Sequence, residues 1–359
     1  MGRLTGSKFK TIMFTGPRKI EFQDATSTPL KADEVRIKTI YSGISRGTEM
    51  TVYRGTSPLY KKFYDPEIKL FLKSDQVTFT YPLEFGYENI GRIVDAGPDV
   101  KGYGVGDIVF TPMPHTEYIN LSTTEPSVFF GDLVPILKIP QQIKPEAGVF
   151  APLLGVAYNT ILDGRLILGE NVAIFGAGVI GLLTTQLCRL AGAEQIYVVD
   201  PLPSRRELAK KFGATHLFDP NCGEDISKTI RDLTGGRGAD LTIELSGAYG
   251  GLQEAIRSVG YNGRVVVGSF LAKGEPLELG EEFHHNRIRL ISSQSFGVAP
   301  DISDRWNPAR RMLTVMKLLS KLKLEVMITN RFKFSEAAEA FALVDEHPQD
   351  VLQIILEYE

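Results

Sequence analysis

The chain of 359 residues carries only two cysteines, Cys188 and Cys222. Two thiols exclude a four-cysteine zinc site and a disulfide framework, and they suit a reducing cytoplasm. Long hydrophobic runs are missing as well. No stretch approaches the roughly 18 apolar residues of a membrane span. Met1 to Thr15 has scattered Lys and Arg and lacks the apolar core of a secretory signal. Neither sign of charge dominates: 40 Lys and Arg face 43 Asp and Glu, a formal net charge of -3. Nucleic-acid binders carry a basic surplus or stripe, so no nucleic-acid partner is expected, and no membrane partner either. Internal repeats and low-complexity tracts are absent from the sequence.

What is present is a change of pattern along the chain. The length exceeds one average core, so two domains are expected. Short strand-like runs between Gly and Pro fill the first part, among them Glu34 to Tyr41, Asn89 to Val94 and Asp107 to Phe110. They indicate a mostly β domain. From about residue 152 apolar strand cores alternate with helix-like segments. The cores are Val172 to Phe175, Gln195 to Val199, Asp240 to Leu245 and Gly263 to Gly268; Val179 to Ala191 and Ser204 to Phe212 lie between them. That alternation predicts βαβ units and a parallel sheet. The end holds a helix over Pro308 to Leu322, another over Ser335 to Val344 and a strand near Val351 to Leu356. These cannot bury their own apolar faces, so they are expected to return to the first domain. The predicted division is 1-151 with 291-359, and 152-290.

Gly176, Ala177, Gly178, Val179, Ile180 and Gly181 follow a strand and open a helix. This is GxGxxG in its proper setting. The first glycine makes the tight turn, the second lets backbone approach a pyrophosphate, and the third lets helix and strand pack closely. Asp200 ends the next strand, where the ribose hydroxyls of a dinucleotide would be held. A carboxylate there repels a 2′-phosphate and favours NAD; Arg205 or Arg206, folded over the adenosine, leaves NADP open.

The order of motifs resembles the medium-chain dehydrogenases/reductases, the superfamily of zinc-type alcohol dehydrogenases. The N-terminal part carries Gly43-Ile-Ser-Arg-Gly-Thr-Glu49, Phe85-Gly-Tyr-Glu-Asn-Ile-Gly91, Val94-Asp-Ala-Gly97 and Gly104-Val-Gly-Asp-Ile-Val109. Behind the glycine loop come Gly236-Arg-Gly-Ala-Asp240, Glu244-Leu-Ser-Gly247 and the Phe332 to Phe341 tail. The resemblance covers nearly the whole chain. It implies an α/β protein: a GroES-like, mostly β catalytic domain plus a Rossmann domain with a doubly wound parallel sheet, the active site lying between them. Within the superfamily, Gly-Ile-Ser-x-Gly-Thr-Glu looks closest to the bacteriochlorophyllide dehydrogenase-like branch. The resemblance also adds Ser246 to the cofactor residues and lets Arg46 reach the pyrophosphate.

The departures concern metal. Zinc-dependent relatives carry Cys where this chain has Ser45, His where it has Tyr87, and a third ligand near Ala151 to Leu154, where no ligand-type side chain stands. Catalytic zinc takes three protein ligands from Cys, His and carboxylate, so none is expected here. Carbonyl reduction without a metal needs hydrogen-bond donors at the developing alkoxide. Tyr87 is the first candidate, Ser45 and Thr48 extend a relay, and Glu88 orients a donor or binds a substrate hydroxyl. His115 reads as a polar rim residue, and both cysteines as packing residues. His284 and His285, being adjacent, point to different faces.

The expected activity is a zinc-independent, NAD(P)-linked interconversion of a secondary alcohol and a ketone on a small molecule. Two alternatives stand beside it. One is an NADPH-dependent quinone or enone reductase, a branch that shares a Tyr53-Arg-Gly55-like element but has Asn in place of Ser45. The other is an NAD(P)-binding protein without catalysis. A homodimer or homotetramer is expected, formed by Val265 to Ser269 and Leu290 to Ser293 pairing across a two-fold axis. Thr56 to Thr80 is a longer connection than usual, to be read as a surface insertion at a dimer contact or as a lid.

Overall fold

The computed structural model describes residues 6–73, 76–125, 127–129, 132–134, 136–271, 274–294 and 297–359. Internal contacts divide the chain into two units: Met1–Pro152 with Met316–Glu359, and Leu153–Val315.

The first unit is built on one long strand. Glu34–Ile44 is mostly buried because it is paired on both sides. It runs antiparallel to Asn89–Ala96, to Tyr118–Ser122 and to Gln353–Glu357. Gln353–Glu357 continues in parallel to Ile328–Lys333, so the end of the chain lies in the sheet of its beginning. Helix Ala337–Glu346 then needs cover for its apolar face, and Phe341 supplies the centre of the core. Its ring meets Phe14 at 5.4 Å and Tyr53 at 5.2 Å. The expected helix from Ser335 starts instead with a 3-10 turn, Phe334–Glu336, in which the Glu336 carboxylate accepts the Lys333 N–H.

Within Thr56 to Thr80 the described residues form a 3-10 turn, Pro58–Tyr60, and a small hairpin of Phe63–Asp65 with Leu70–Leu72. Tyr60 stacks on Tyr81 at 4.6 Å, which anchors the base of the segment. Ile68, Leu70 and Phe71 at the tip are exposed.

The second unit holds six parallel strands in the order His216–Phe218, Gln195–Val199, Asn171–Phe175, Ala239–Glu244, Val259–Val267, Arg289–Ser292. Counted along the chain this is 3-2-1-4-5-6, the doubly wound order with its switch point beside the first strand. Asn171–Phe175 is buried throughout, as a central parallel strand covered on both faces must be. Two expectations change here. Residues 291–315 belong to this unit, because Arg289–Ser292 is its sixth strand and buried Arg311 donates to Asn159 Oδ1 and Gly297 O at 2.8 and 2.7 Å. Val259–Val267 is interior, so among the described residues Arg289–Ser292 forms the sheet edge on that side. Among the described residues no helix is long and apolar enough to cross a membrane.

Phe341 is fully buried. Truncating it leaves a cavity between strands and helix, so Phe341→Ala should destabilise the protein by about 3–5 kcal/mol, measured as the shift of the urea unfolding midpoint at unchanged slope.

Candidate active site

The glycine loop of the second unit shows why each of its residues stands where it does. Gly176 has φ +99°, and a Cβ there would come within 2.7 Å of Ser246 N. A Cβ on Gly181 would sit 1.9 Å from Gly176 O. Both positions are closed by backbone. Above Gly178, by contrast, a Cβ would meet nothing within 4 Å. Gly178 is the N-cap of helix Val179–Leu190, and no side chain caps the first N–H groups. Open space over uncapped N–H groups at a helix start suits a pyrophosphate.

Asp200 is 3% exposed, and its carboxylate is held by main chain: Ala177 N–H on Oδ2 at 2.7 Å, Leu202 N–H on Oδ1 at 2.9 Å. Each oxygen keeps a lone pair for a ribose hydroxyl. Arg206 is occupied elsewhere, donating to Asp200 O at 2.6 Å and pairing with Asp219. Arg205 is half-buried and lies in the field of Asp200. On the other side of the switch point, fully buried Glu244 binds the loop that carries Ser246. Its Oε1 accepts from Ser246 N, Ser246 Oγ and Gly247 N, and its Oε2 accepts from Ser269 Oγ. The sequence reading took Ser246 as the cofactor residue and missed the carboxylate that shapes its loop.

In the first unit, Ser45 leaves the end of strand Glu34–Ile44, and Tyr87 and Glu88 precede Asn89–Ala96. Pairing of these strands brings the three together. Tyr87, 8% exposed, donates its hydroxyl proton to Ser45 Oγ. Burial pushes the phenol upward, the Glu88 and Glu49 charges push the same way, and hydrogen bonds with Ser45 and Thr48 oppose them. The phenol therefore stays protonated at neutral pH. Ser45 accepts that proton, and its own O–H interacts with the Glu88 carboxyl. Thr48 is exposed and connects this couple to solvent. Glu88 is fully buried: Oε2 accepts from Gln353 Nε2 at 2.9 Å, and Oε1 finds no partner of good geometry. Burial, and secondarily the charge of Glu49, raise its carboxyl well above the ordinary range.

Arg46 donates to Pro348 O and Val351 O at 2.6 and 2.8 Å. Two expectations are corrected. His115 is not at a rim; it is fully buried, with Glu49 at 2.6 Å from Nε2. Cys222 is exposed and packs nothing, whereas Cys188 is buried in its helix.

A family model described as zinc-binding dehydrogenase matches residues 179–314. The D-guloside 3-dehydrogenase of Escherichia coli is 28% identical, over 96% of this chain and 99% of its own. The L-threonine 3-dehydrogenase of Pyrococcus abyssi is 30% identical, over 87% of this chain and 88% of its own. The chain belongs to the zinc-binding, medium-chain dehydrogenase family. It is an oxidoreductase of that family, and its α/β fold agrees. The crystal structure of 2R,3R-butanediol dehydrogenase from Bacillus subtilis superposes with a TM-score of 0.77 over 97% of this chain and 99% of that one, at 21% identity.

The family name raises the question of zinc, and the donor set answers poorly to it. Ser45 and Tyr87 are hydroxyls bonded to each other. Glu88 sits in surroundings that favour its neutral form, and zinc needs deprotonated ligands. Among the described residues no three His, Cys, Asp or Glu side chains group in a way that would hold a metal. These residues do not fit a zinc site.

A carboxyl raised on folding binds protons that the unfolded chain releases, so wild-type stability should fall as pH rises above the usual carboxylate range of about 4.3. Glu88→Gln keeps the shape and the Gln353 contact while removing the titration. The stability of Glu88→Gln relative to wild type should increase from about pH 5 to 8 in urea unfolding; a constant difference refutes a neutral buried Glu88.

Proposed function

We propose that this enzyme interconverts a secondary alcohol and a ketone on a small hydroxylated molecule with NAD(H), and that it does so without zinc. The observation that carries the reading is the Tyr87–Ser45 couple standing where the family places metal ligands. When bound, the nicotinamide supplies or accepts the hydride. Gly176 to Gly181 hold its pyrophosphate, and Asp200 holds the ribose; the carboxylate favours NAD over NADP, which Arg205 leaves open. The chain's own part is the proton. In reduction Ser45 O–H donates to the developing alkoxide and is re-supplied by Tyr87, which Thr48 links to solvent; oxidation runs the same path backwards. Glu88, kept neutral, offers a further donor to a substrate oxygen. The names of the relatives, guloside, threonine and butanediol dehydrogenases, support a hydroxylated substrate. The Gly43 to Glu49 pattern keeps the bacteriochlorophyllide dehydrogenase-like branch as its place in the family, and the two unpaired thiols suit a reducing cytoplasm.

The test follows NADH absorbance with NAD and a panel of polyols, cyclitols and aryl alcohols. Purified enzyme should turn over with well under one zinc per chain and be indifferent to chelators. Tyr87→Phe removes the group that re-supplies Ser45 and should lower turnover on the order of 100-fold, comparable to the loss of an oxyanion donor, with NAD affinity unchanged. Stoichiometric zinc, or near-wild-type turnover in Tyr87→Phe, refutes the metal-free donor. NADPH consumption with enones instead of alcohol oxidation would mark a reductase, and cofactor binding without either turnover a non-catalytic protein.

We also propose a homodimer formed along Arg289–Ser292, because this short strand is an unpaired sheet edge with Leu290 40% exposed. Light scattering at micromolar concentration should give twice the chain mass, and Leu290→Lys should lower it; a monomeric wild type overturns the proposal.

A further inference from the structure

We propose that Glu49 and His115 form the positioning pair of this site, a buried carboxylate–imidazole couple that fixes the Tyr87–Ser45 hydroxyls and is itself locked by Ser42 and Tyr358. The inference rests on the reading of Tyr87 and Ser45 as the proton-donating couple.

Both members of the pair are fully buried. A buried carboxylate is costly unless its oxygens are satisfied, and both of Glu49's are used. Oε2 accepts the Ser45 N–H at 2.9 Å, and Oε1 faces His115 Nε2 at 2.6 Å. The other ring nitrogen, Nδ1, lies 2.7 Å from Ser42 Oγ, and Ser42 Oγ lies 2.8 Å from the Tyr358 hydroxyl. A carboxylate only accepts, so Nε2 must carry a proton. With a neutral ring, a single direction then satisfies every member: Tyr358 donates to Ser42, Ser42 to Nδ1, and Nε2–H to Glu49. The pair thus fixes the tautomer of its own histidine.

Its grip falls on both sides of the hydroxyl couple. Glu49 holds the backbone of Ser45. His115 lies flush under the residue before Tyr87: Gly86 has φ +130°, and a Cβ there would come within 2.9 Å of His115 Cδ2. Any side chain at 86 would push the ring off Glu49. The ring is held from its other side by Phe341, edge-on at 5.8 Å, and the main chain of residue 115 is fixed by Ile12 N–H on His115 O at 2.9 Å. Tyr358 in turn is stacked on Phe334 at 4.4 Å. Strands from both ends of the chain therefore aim two hydroxyl groups that local sequence could not place.

Glu49→Gln separates this role from simple packing. The amide has the same shape but one nitrogen that cannot accept. If its oxygen keeps the Ser45 N–H, its NH₂ faces His115, and the ring must move its proton to Nδ1. Two spectroscopic readouts follow it in the full-length enzyme: ¹⁵N signals of His115, assigned by their loss in His115→Gln, and the ¹³Cζ signal of Tyr87, assigned by its loss in Tyr87→Phe. The wild type should show the Nε2–H tautomer. Glu49→Gln should show Nδ1–H, shift the Tyr87 signal, and lower kcat on the order of 10-fold or more, as loosening an orienting partner does, with NADH affinity unchanged. His115→Gln, which keeps a donor for Glu49 and an acceptor for Ser42, should recover more activity than His115→Leu. An Nδ1–H wild type overturns the proposal, and so does a Glu49→Gln enzyme with wild-type kcat and an unmoved Tyr87 signal. A wild type that oxidises no alcohol sinks the donor reading alone; the tautomer and the Tyr87 signal still decide the pair. If Glu49→Gln does not fold, Ser42→Ala decides it: a shifted Tyr87 signal supports the pair and an unshifted one overturns it.

Discussion

The antiparallel pairing of Gln353–Glu357 with Tyr41–Ile44 is the constraint on which the first unit depends. Some 300 residues of chain lie between these strands, and the ladder between them is what makes the C-terminal segment part of the site. It sets Gln353 against Glu88 and Tyr358 against Ser42. It also brings Pro348 and Val351 to the guanidinium of Arg46, which is thereby spent on structure. Without that pairing the buried Glu88 carboxyl would lose the Gln353 amide, a costly loss for a group shut off from water.

A consequence is that charge in this unit is managed rather than abundant. Three ionisable side chains, Glu49, Glu88 and His115, are fully buried around one tyrosine. Both oxygens of Glu49 are engaged, one by the Ser45 N–H and the other by His115 Nε2. Glu88 meets Gln353 and Ser45, yet burial, and secondarily the charge of Glu49, drive it toward the neutral acid.

How much of this was legible in the sequence differed between the units, for a physical reason. The cofactor cradle is local: Gly176, Gly181 and Asp200 lie within one βαβ unit, and each constraint acts across a few residues of turn or one strand pair. Spacing alone therefore located it. The first-unit site is non-local. Tyr87 and Ser45 could be named because they fill motif positions, but Glu49 stood unremarked in the same motif, since nothing nearby shows what it bonds. His115 reads as a rim residue from its neighbours in sequence because its partners are 66 and 73 positions away. The boundary set at residue 291 failed for the same reason: the edge strand Arg289–Ser292 and Arg311 are tied to the parallel sheet by contacts that leave no mark in composition.

The two carboxylates that sequence reading passed over, Glu244 and Glu49, act alike. Each ends or follows a strand, is fully buried, and gives at least one oxygen to the backbone of a loop that carries a candidate site residue, Ser246 in one unit and Ser45 in the other. A carboxylate is suited to this because two oxygens accept several N–H groups at once, and bonds to a charged acceptor are the stronger ones. Such a residue limits how far a loop can move, and a donor misplaced by an ångström loses much of its effect on a developing charge. That places the precision of both halves of this enzyme in side chains one bond removed from the chemistry, where motif matching does not look.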